Sequence, residues 1–231
     1  MEAEHRREIR SFVRREGRMT VAQKRALEEL WPKFGVEPPR SRGHGPLLQE
    51  LFGRRAPVVM EIGFGNGEHL LARAQAEPSV DFLGVEVHRP GAGRVMNQAQ
   101  AAGLTNLRVA CADAVEVLRD WLPERCLAEL VVYFPDPWPK KRHHKRRLVQ
   151  PAFAALAASR LVPGGLLKLA TDWAEYAQHM RATLDAEPSL ENLAGAAGFV
   201  PRPAERPLTR FEQRGMKLGH EVFDLVYRRV G

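Results

Sequence analysis

"PVVMEIGFGNGEHLLARAQAE", residues 57–77, passes from an apolar run into a glycine-rich turn and then into helical spacing. The first seven residues suit a buried strand, and the stretch after Gly67 repeats its apolar side chains at helical intervals. Strand, tight turn and helix make half of a βαβ unit, the building block of a parallel sheet. The alternation continues. "VDFLGVEV" (80–87), "NLRVACAD" (106–113), "LAELVVYF" (127–134) and "GGLLKLATD" (164–172) read as strands. Between and after them, "PGAGRVMNQAQAAG" (90–103, closed by Gly103), "AVEVLRDWL" (114–122), "QPAFAALAASRLV" (150–162) and "WAEYAQHMRATLDAE" (173–187) read as helices. Pro151 is tolerated because it falls in a first helical turn. "HEVFDLVYRRV" (220–230) alternates like a half-exposed edge strand. Apolar strands alternating with helices predict an α/β fold, a Rossmann-like, mostly parallel sheet with helices on both faces.

The turn carries more than fold. Gly63, Gly65 and Gly67 let the chain turn sharply and let a ligand approach the backbone. The spacing is GxGxG, with Glu68 where a dinucleotide-binding loop has its third glycine, and no Lys-Ser/Thr pair follows as in a P-loop. Glu61, just before the loop, would repel a pyrophosphate. An acid there suits a cationic ligand, and S-adenosylmethionine carries both an ammonium and a sulfonium. Glu86 ends the second strand, where a carboxylate accepts hydrogen bonds from ribose hydroxyls, and Asp113 ends the third, near an adenine or as a helix N-cap. Three acids at the C-terminal ends of three successive strands lie where open α/β sheets bind ligands.

The fourth strand delivers Pro135, Asp136, Pro137, Trp138 and Pro139 to the same edge. The prolines hold Asp136 rigidly, either as a stiff β–α turn or so that Asp136 faces an acceptor while Trp138 supplies a hydrophobic or stacking wall. Residues 140–147 then hold six cations and two histidines with no acid among them. Phosphates placed before the following helix would gain from both those charges and the helix dipole. The net charge of +7 agrees with a polyanionic partner.

Composition bounds the rest. The 231 residues are 44% hydrophobic, enough for one large core. Residues 1–45 are polar and Arg-rich and read as a basic, partly flexible arm, joined by the breaker-dense "PPRSRGHGP" (38–46) to a domain over 46–231. No run spans a bilayer and no signal-peptide core follows Met1, and Cys111 and Cys126 read as buried free thiols. A cytoplasmic protein without metal ligation is expected, since neither a CxxC pair nor HExxH occurs.

The motifs "IRSFVRREGRMT" (9–20), "EIGFGNG" (61–67), "GVEVHRPG" (84–91), "FPDPWPKKRHHKRR" (134–147), "LKLATDWAEYA" (167–177) and "TRFEQRG" (209–215) together resemble the bacterial tRNA (guanine-N7)-methyltransferases. The resemblance runs over essentially the whole chain. It implies a class I methyltransferase fold with seven strands, one of them antiparallel. It implies S-adenosylmethionine as cofactor and N7 of a guanine in the tRNA variable loop, position 46 in tRNA numbering, as acceptor. Carried over by motif, Glu61, Glu86, Asp113 and Asp136 adjoin the cofactor, with Asp136 the proposed catalytic residue. Lys140, Asp172, Thr209, Arg210, Phe211 and Glu212 contact substrate. Arg142, His143, His144, Lys145, Arg146 and Arg147 contact RNA. Asp172 is equally an N-cap of the next helix, and Thr209 with Glu212 has capping-box spacing. Monomer and homodimer both remain open. Guanine N7 already carries a lone pair, so its methylation needs no strong general base. Alignment and charge stabilisation carry the work.

Overall fold

The structure, a computed structural model, describes residues 11–12, 18–37, 48–208, 212, 219 and 221–231. Its helices are α1 (Val21–Glu29), α2 (Trp31–Phe34), α3 (Leu48–Phe52), α4 (Glu68–Ala76), α5 (Arg89–Ala101), α6 (Ala114–Glu116), α7 (Pro151–Arg160) and α8 (Ala174–Asp185). The strands are β1 (Val58–Ile62), β2 (Asp81–Val85), β3 (Leu107–Ala110), β4 (Leu127–Tyr133), β5 (Leu161–Thr171), β6 (Leu190–Asn192) and β7 (Phe223–Arg229). They form one sheet in the order β3-β2-β1-β4-β5-β7-β6. β1 to β5 pair in parallel, and β7 runs antiparallel to both β5 and β6.

Successive side chains of a strand point to opposite faces, and the core divides accordingly. Val58, Met60 and Ile62 of β1 pack with Phe153 and Ala157 of α7 and with Tyr176 and Met180 of α8. Val59 packs on the other face with Leu70 of α4 and Val95 and Met96 of α5. β1 and β2 are buried throughout, which is why they read as continuous apolar runs.

Two features depart from the sequence reading. β7 is not an edge strand: β6 covers its outer side through Leu190, Glu191 and Asn192, opposite Arg229, Arg228 and Tyr227. The segment read as a basic arm also contributes to the core. A capping box between Thr20 and Gln23 starts α1, which buries Ala26 and Leu27 and packs along α5. The approach is close because α5 carries Gly93, where a Cβ would lie 2.7 Å from the Gln23 carbonyl oxygen. Phe34 is fully buried, and the Val36 amide donates to the Val109 carbonyl at 2.9 Å. The 38–46 linker lies outside the described residues.

Candidate active site

A cavity of about 580 Å³ opens at the C-terminal edge of the parallel strands, where β1 and β4 diverge in strand order. That is a topological switch point, the place where such sheets take ligands. Its wall joins the ends of β1 to β4: Gly63, Glu86, Asp113 and the turn Phe134–Pro139.

The glycine loop has the backbone its composition demands. Gly63, Gly65 and Gly67 have φ of 69°, 54° and 76°, all left-handed. Glu86 fastens the loop. Its Oε2 accepts from the Gly65 amide at 3.0 Å and its Oε1 from the His88 amide at 3.0 Å. Glu86 still lines the cavity. Gly91, in the first turn of α5, is equally constrained, because a Cβ there would collide with the Gly65 carbonyl oxygen. Asp113 lines the cavity, and its Oδ1 caps α6 by accepting from the Val115 amide at 2.9 Å. Glu61 sits lower. It is 5% exposed and its Oε2 lies 2.8 Å from His69 Nδ1, beneath the loop rather than on the cavity wall.

The turn after β4 is strained on both sides of Asp136. Phe134 has φ 52° and Trp138 φ 46°, a region bulky side chains rarely occupy. Strain of this kind persists only where surrounding contacts enforce it, and it concentrates at functional sites. Trp138 is held by three neighbours. Its Nε1 donates to the Ser11 carbonyl at 3.1 Å, Arg146 lies 5.0 Å over its ring, and His143 meets it edge-on at 5.8 Å. Ser11 and Phe12 of the N-terminal segment thereby join the cavity wall.

The basic run forms a 3-10 helix, Lys141–Arg146, with Lys140 as its N-cap. Lys140, Lys141, Arg142 and Lys145 are exposed, with His143 and His144 half-buried beside them. α7 begins only at Pro151, so these cations do not sit directly on its N-terminus, and the expected gain from its dipole does not reach them. Partial desolvation and the charges of Arg142, Arg146, Lys140 and Lys145 hold His143 below its usual pKa. Arg147 departs from the expected RNA contact. It is 2% exposed and turned inward, where its guanidinium hydrogen bonds are taken by protein groups.

Asp172 follows β5 at the same sheet edge. The assigned N-cap of α8 is Trp173, which makes no side-chain cap hydrogen bond. Glu212 is 2% exposed and bound by Arg206 through both carboxylate oxygens, at 2.6 and 2.9 Å. Thr209, Arg210 and Phe211 lie outside the described residues. Among the described residues, no group of three or more His, Cys, Asp or Glu could hold a metal ion. Nor is any helix among them long and apolar enough to cross a membrane.

A family model described as "Putative methyltransferase" matches residues 55–225. A tRNA (guanine-N(7)-)-methyltransferase of Halorhodospira halophila is 58% identical over 96% of this chain and 95% of its own. Another, from Alkalilimnicola ehrlichii, is 56% identical over 96% of this chain and 93% of its own. This chain belongs to the tRNA (guanine-N(7)-)-methyltransferase family. Among solved structures, the 16S rRNA methyltransferase KamB superposes with a TM-score of 0.54 over 80% of this chain and 93% of that one. At 18% identity it supports the Rossmann-like methyltransferase fold and no more.

Several residues that shape this methyltransferase's site were not visible in the sequence. Arg206 stacks 5.6 Å from both the Tyr133 and Phe134 rings while binding Glu212 and Asp224. It braces the end of β4 from beneath, yet it looks like any loop arginine. Glu129 and Lys168 interrupt apolar strands and form a buried ion pair at 2.9 Å, which Arg73 and Glu205 extend. The signal was there: a charge of each sign at interior positions of adjacent strands.

Proposed function

We propose that this protein transfers a methyl group from S-adenosylmethionine to N7 of guanine in tRNA, at position 46 of the variable loop. The observation that carries the reading is that one cavity joins the glycine loop and Glu86 to Asp136 and Trp138, with an exposed cationic helix on its rim. The residues fit the cofactor: left-handed glycines allow close approach, and Glu86 and Asp113 present carboxylates to hydroxyl and amino donors. No pyrophosphate-binding pattern competes with it. Bound there, S-adenosylmethionine supplies an electrophilic methyl carbon whose bond to sulfur breaks as the N7 lone pair forms the new one, the bonding pair leaving with sulfur.

The chain's own residues align and stabilise. Asp136 accepts from the guanine N1–H and N2–H₂ edge and offsets the positive charge appearing on the purine. It need not remove a proton, because N7 carries none. Trp138 walls the base, and the strained turn keeps both side chains in register with the cavity. Lys140, Lys141, Arg142 and Lys145 grip phosphates beside the extruded base, whose unstacking costs a few kcal/mol. Asp172 and Glu212 support the substrate side, the latter from its clamp on Arg206. The enzyme works on tRNA in the cytoplasm, as a monomer or a homodimer.

Methyl-labelled cofactor and bulk tRNA, followed by nucleoside analysis, test this. The expected product is N7-methylguanosine, lost when the tRNA carries adenine at position 46. Label in another nucleoside, or in protein, overturns it. Asp136→Ala should abolish transfer while leaving cofactor binding within a few-fold. Wild-type turnover by that variant would falsify the orienting role.

A further inference from the structure

Arg147 ends a run of cations, yet it points away from solvent, with its side chain fully buried. Its Nε donates to the Pro137 carbonyl at 2.9 Å. Its Nη1 donates to Glu175 Oε1 at 3.0 Å, and its Nη2 pairs with the other Glu175 oxygen. Nη2 also lies 3.2 Å from His144 Nε2. The guanidinium plane sits 4.9 Å from the ring of Tyr176, whose hydroxyl receives the Val149 amide at 3.3 Å. Glu175 and Tyr176 both belong to α8. One planar fork therefore ties the acceptor turn to a helix packed against the sheet.

The position of that tie matters. The Pro137 carbonyl is the peptide oxygen between Pro137 and Trp138, immediately before the left-handed Trp138 and one residue after Asp136. This oxygen belongs to the peptide on which the left-handed φ of Trp138 is built, so fixing it restrains the turn at that bond. Arg147 is also the C-cap residue of the 3-10 helix Lys141–Arg146, so the same side chain fixes where that cationic helix stands relative to the turn.

We propose that Arg147 is a positioning residue for methyl transfer. By holding the Pro137 carbonyl against α8, it keeps Asp136 and Trp138 in the strained geometry that receives the base. The inference rests on the reading that those two side chains meet the guanine. It assigns Arg147 a task its basic neighbours do not share: it touches neither RNA nor cofactor, and acts through the turn.

The test uses the full chain with Arg147→Lys and Arg147→Gln, beside Asp136→Asn. A lysine keeps the charge but loses the planar fork that binds Glu175 bidentately while Nε holds the Pro137 carbonyl. Both Arg147 variants should lose kcat by about tenfold to a hundredfold, the scale of a roughly 1 Å misplacement. KM for tRNA and cofactor should stay within about twofold, and the salt dependence of tRNA binding should match wild type. In 5-fluorotryptophan-labelled protein, the Trp138 resonance should shift or broaden while those of Trp31 and Trp121 stay put. A shallower salt slope with unchanged kcat would make Arg147 a phosphate contact and overturn the proposal. So would full activity in Arg147→Lys, or displacement of all the tryptophan resonances together, which marks general destabilisation. If Asp136→Asn alone keeps full turnover, the reading of Asp136 fails. The Arg147 clamp is then still judged by its own kcat loss and the Trp138 resonance.

Discussion

Glu86 reaches from the end of β2 to the glycine loop after β1, where its Oε2 accepts the Gly65 amide at 3.0 Å. One carboxylate thus shapes the loop and faces the cavity. Glu86→Ala removes both functions. A hydrogen bond to a charged group is worth about 1.5–3 kcal/mol, so cofactor affinity should fall by about tenfold to a hundredfold. tRNA affinity should hold. Calorimetry with cofactor alone decides, and unchanged affinity sinks the assignment.

Gly91 and Gly93 lie two residues apart on α5 but guard different neighbours. Gly91→Ala drives a methyl group into the Gly65 carbonyl and should weaken cofactor binding, at an overpacking cost of about 1–3 kcal/mol. Gly93→Ala meets the backbone of α1 at Gln23 instead. It should loosen α1, seen as faster amide exchange from Ala26 to Leu30, while cofactor affinity stays near wild type. Equal loss of cofactor affinity in both variants would refute the distinction.

Lys141, Arg142 and Lys145 are exposed on the 3-10 helix, and Arg147 is not. Changing the first three to alanine should flatten log affinity for tRNA against log salt by roughly 0.7 to 0.9 for each phosphate no longer neutralised. Cofactor affinity should not move. A wild-type slope would mark the run as a solvated face and shift the RNA footprint elsewhere.

His143 gives the same surface a pH signature. In the free protein its pKa is lowered by partial desolvation and by Arg142, Arg146, Lys140 and Lys145. Phosphates arriving among those cations cancel their repulsion and raise it. Binding should therefore take up a proton, and tRNA affinity should rise as pH falls through the bound-state pKa, levelling off below the free-state one. Calorimetry in buffers of different ionisation enthalpy measures the uptake. The His143→Asn variant should lack it, and equal uptake by that variant would rule the residue out.

Most of the sheet was legible because β1 to β5 are largely buried on both faces and read as apolar runs. β6 was not, being three residues long with only Leu190 buried, and missing it turned β7 into an apparent edge. α1 hid for a related reason: only Ala26 and Leu27 of its nine residues are buried, too few to set a period. The left-handed glycines, Glu86 and the Asp136 turn could be read from residue type and strand-end position. Arg147 could not. Within "KKRHHKRR" every cation looks alike, and only the path of the 3-10 helix decides which one turns inward. Cys111 and Cys126, read as buried free thiols, are free and half-buried, with burial pushing the pKa of each up to about 11.

The strand order has a consequence for how such an enzyme can change. On the proposed reading, the glycine loop, Glu86 and Asp113, which face the cofactor, come from the ends of β1, β2 and β3, on one side of the switch point. On the same reading, Asp136 and Trp138, which meet the nucleobase, come later in the chain, from the turn after β4, on the other side. These two groups of side chains come from largely separate lengths of the chain. Replacing the later length could redirect the methyl group to a different base or polymer while the donor half stays untouched. Modularity of this kind lets one donor scaffold diversify by recombination rather than by piecemeal substitution.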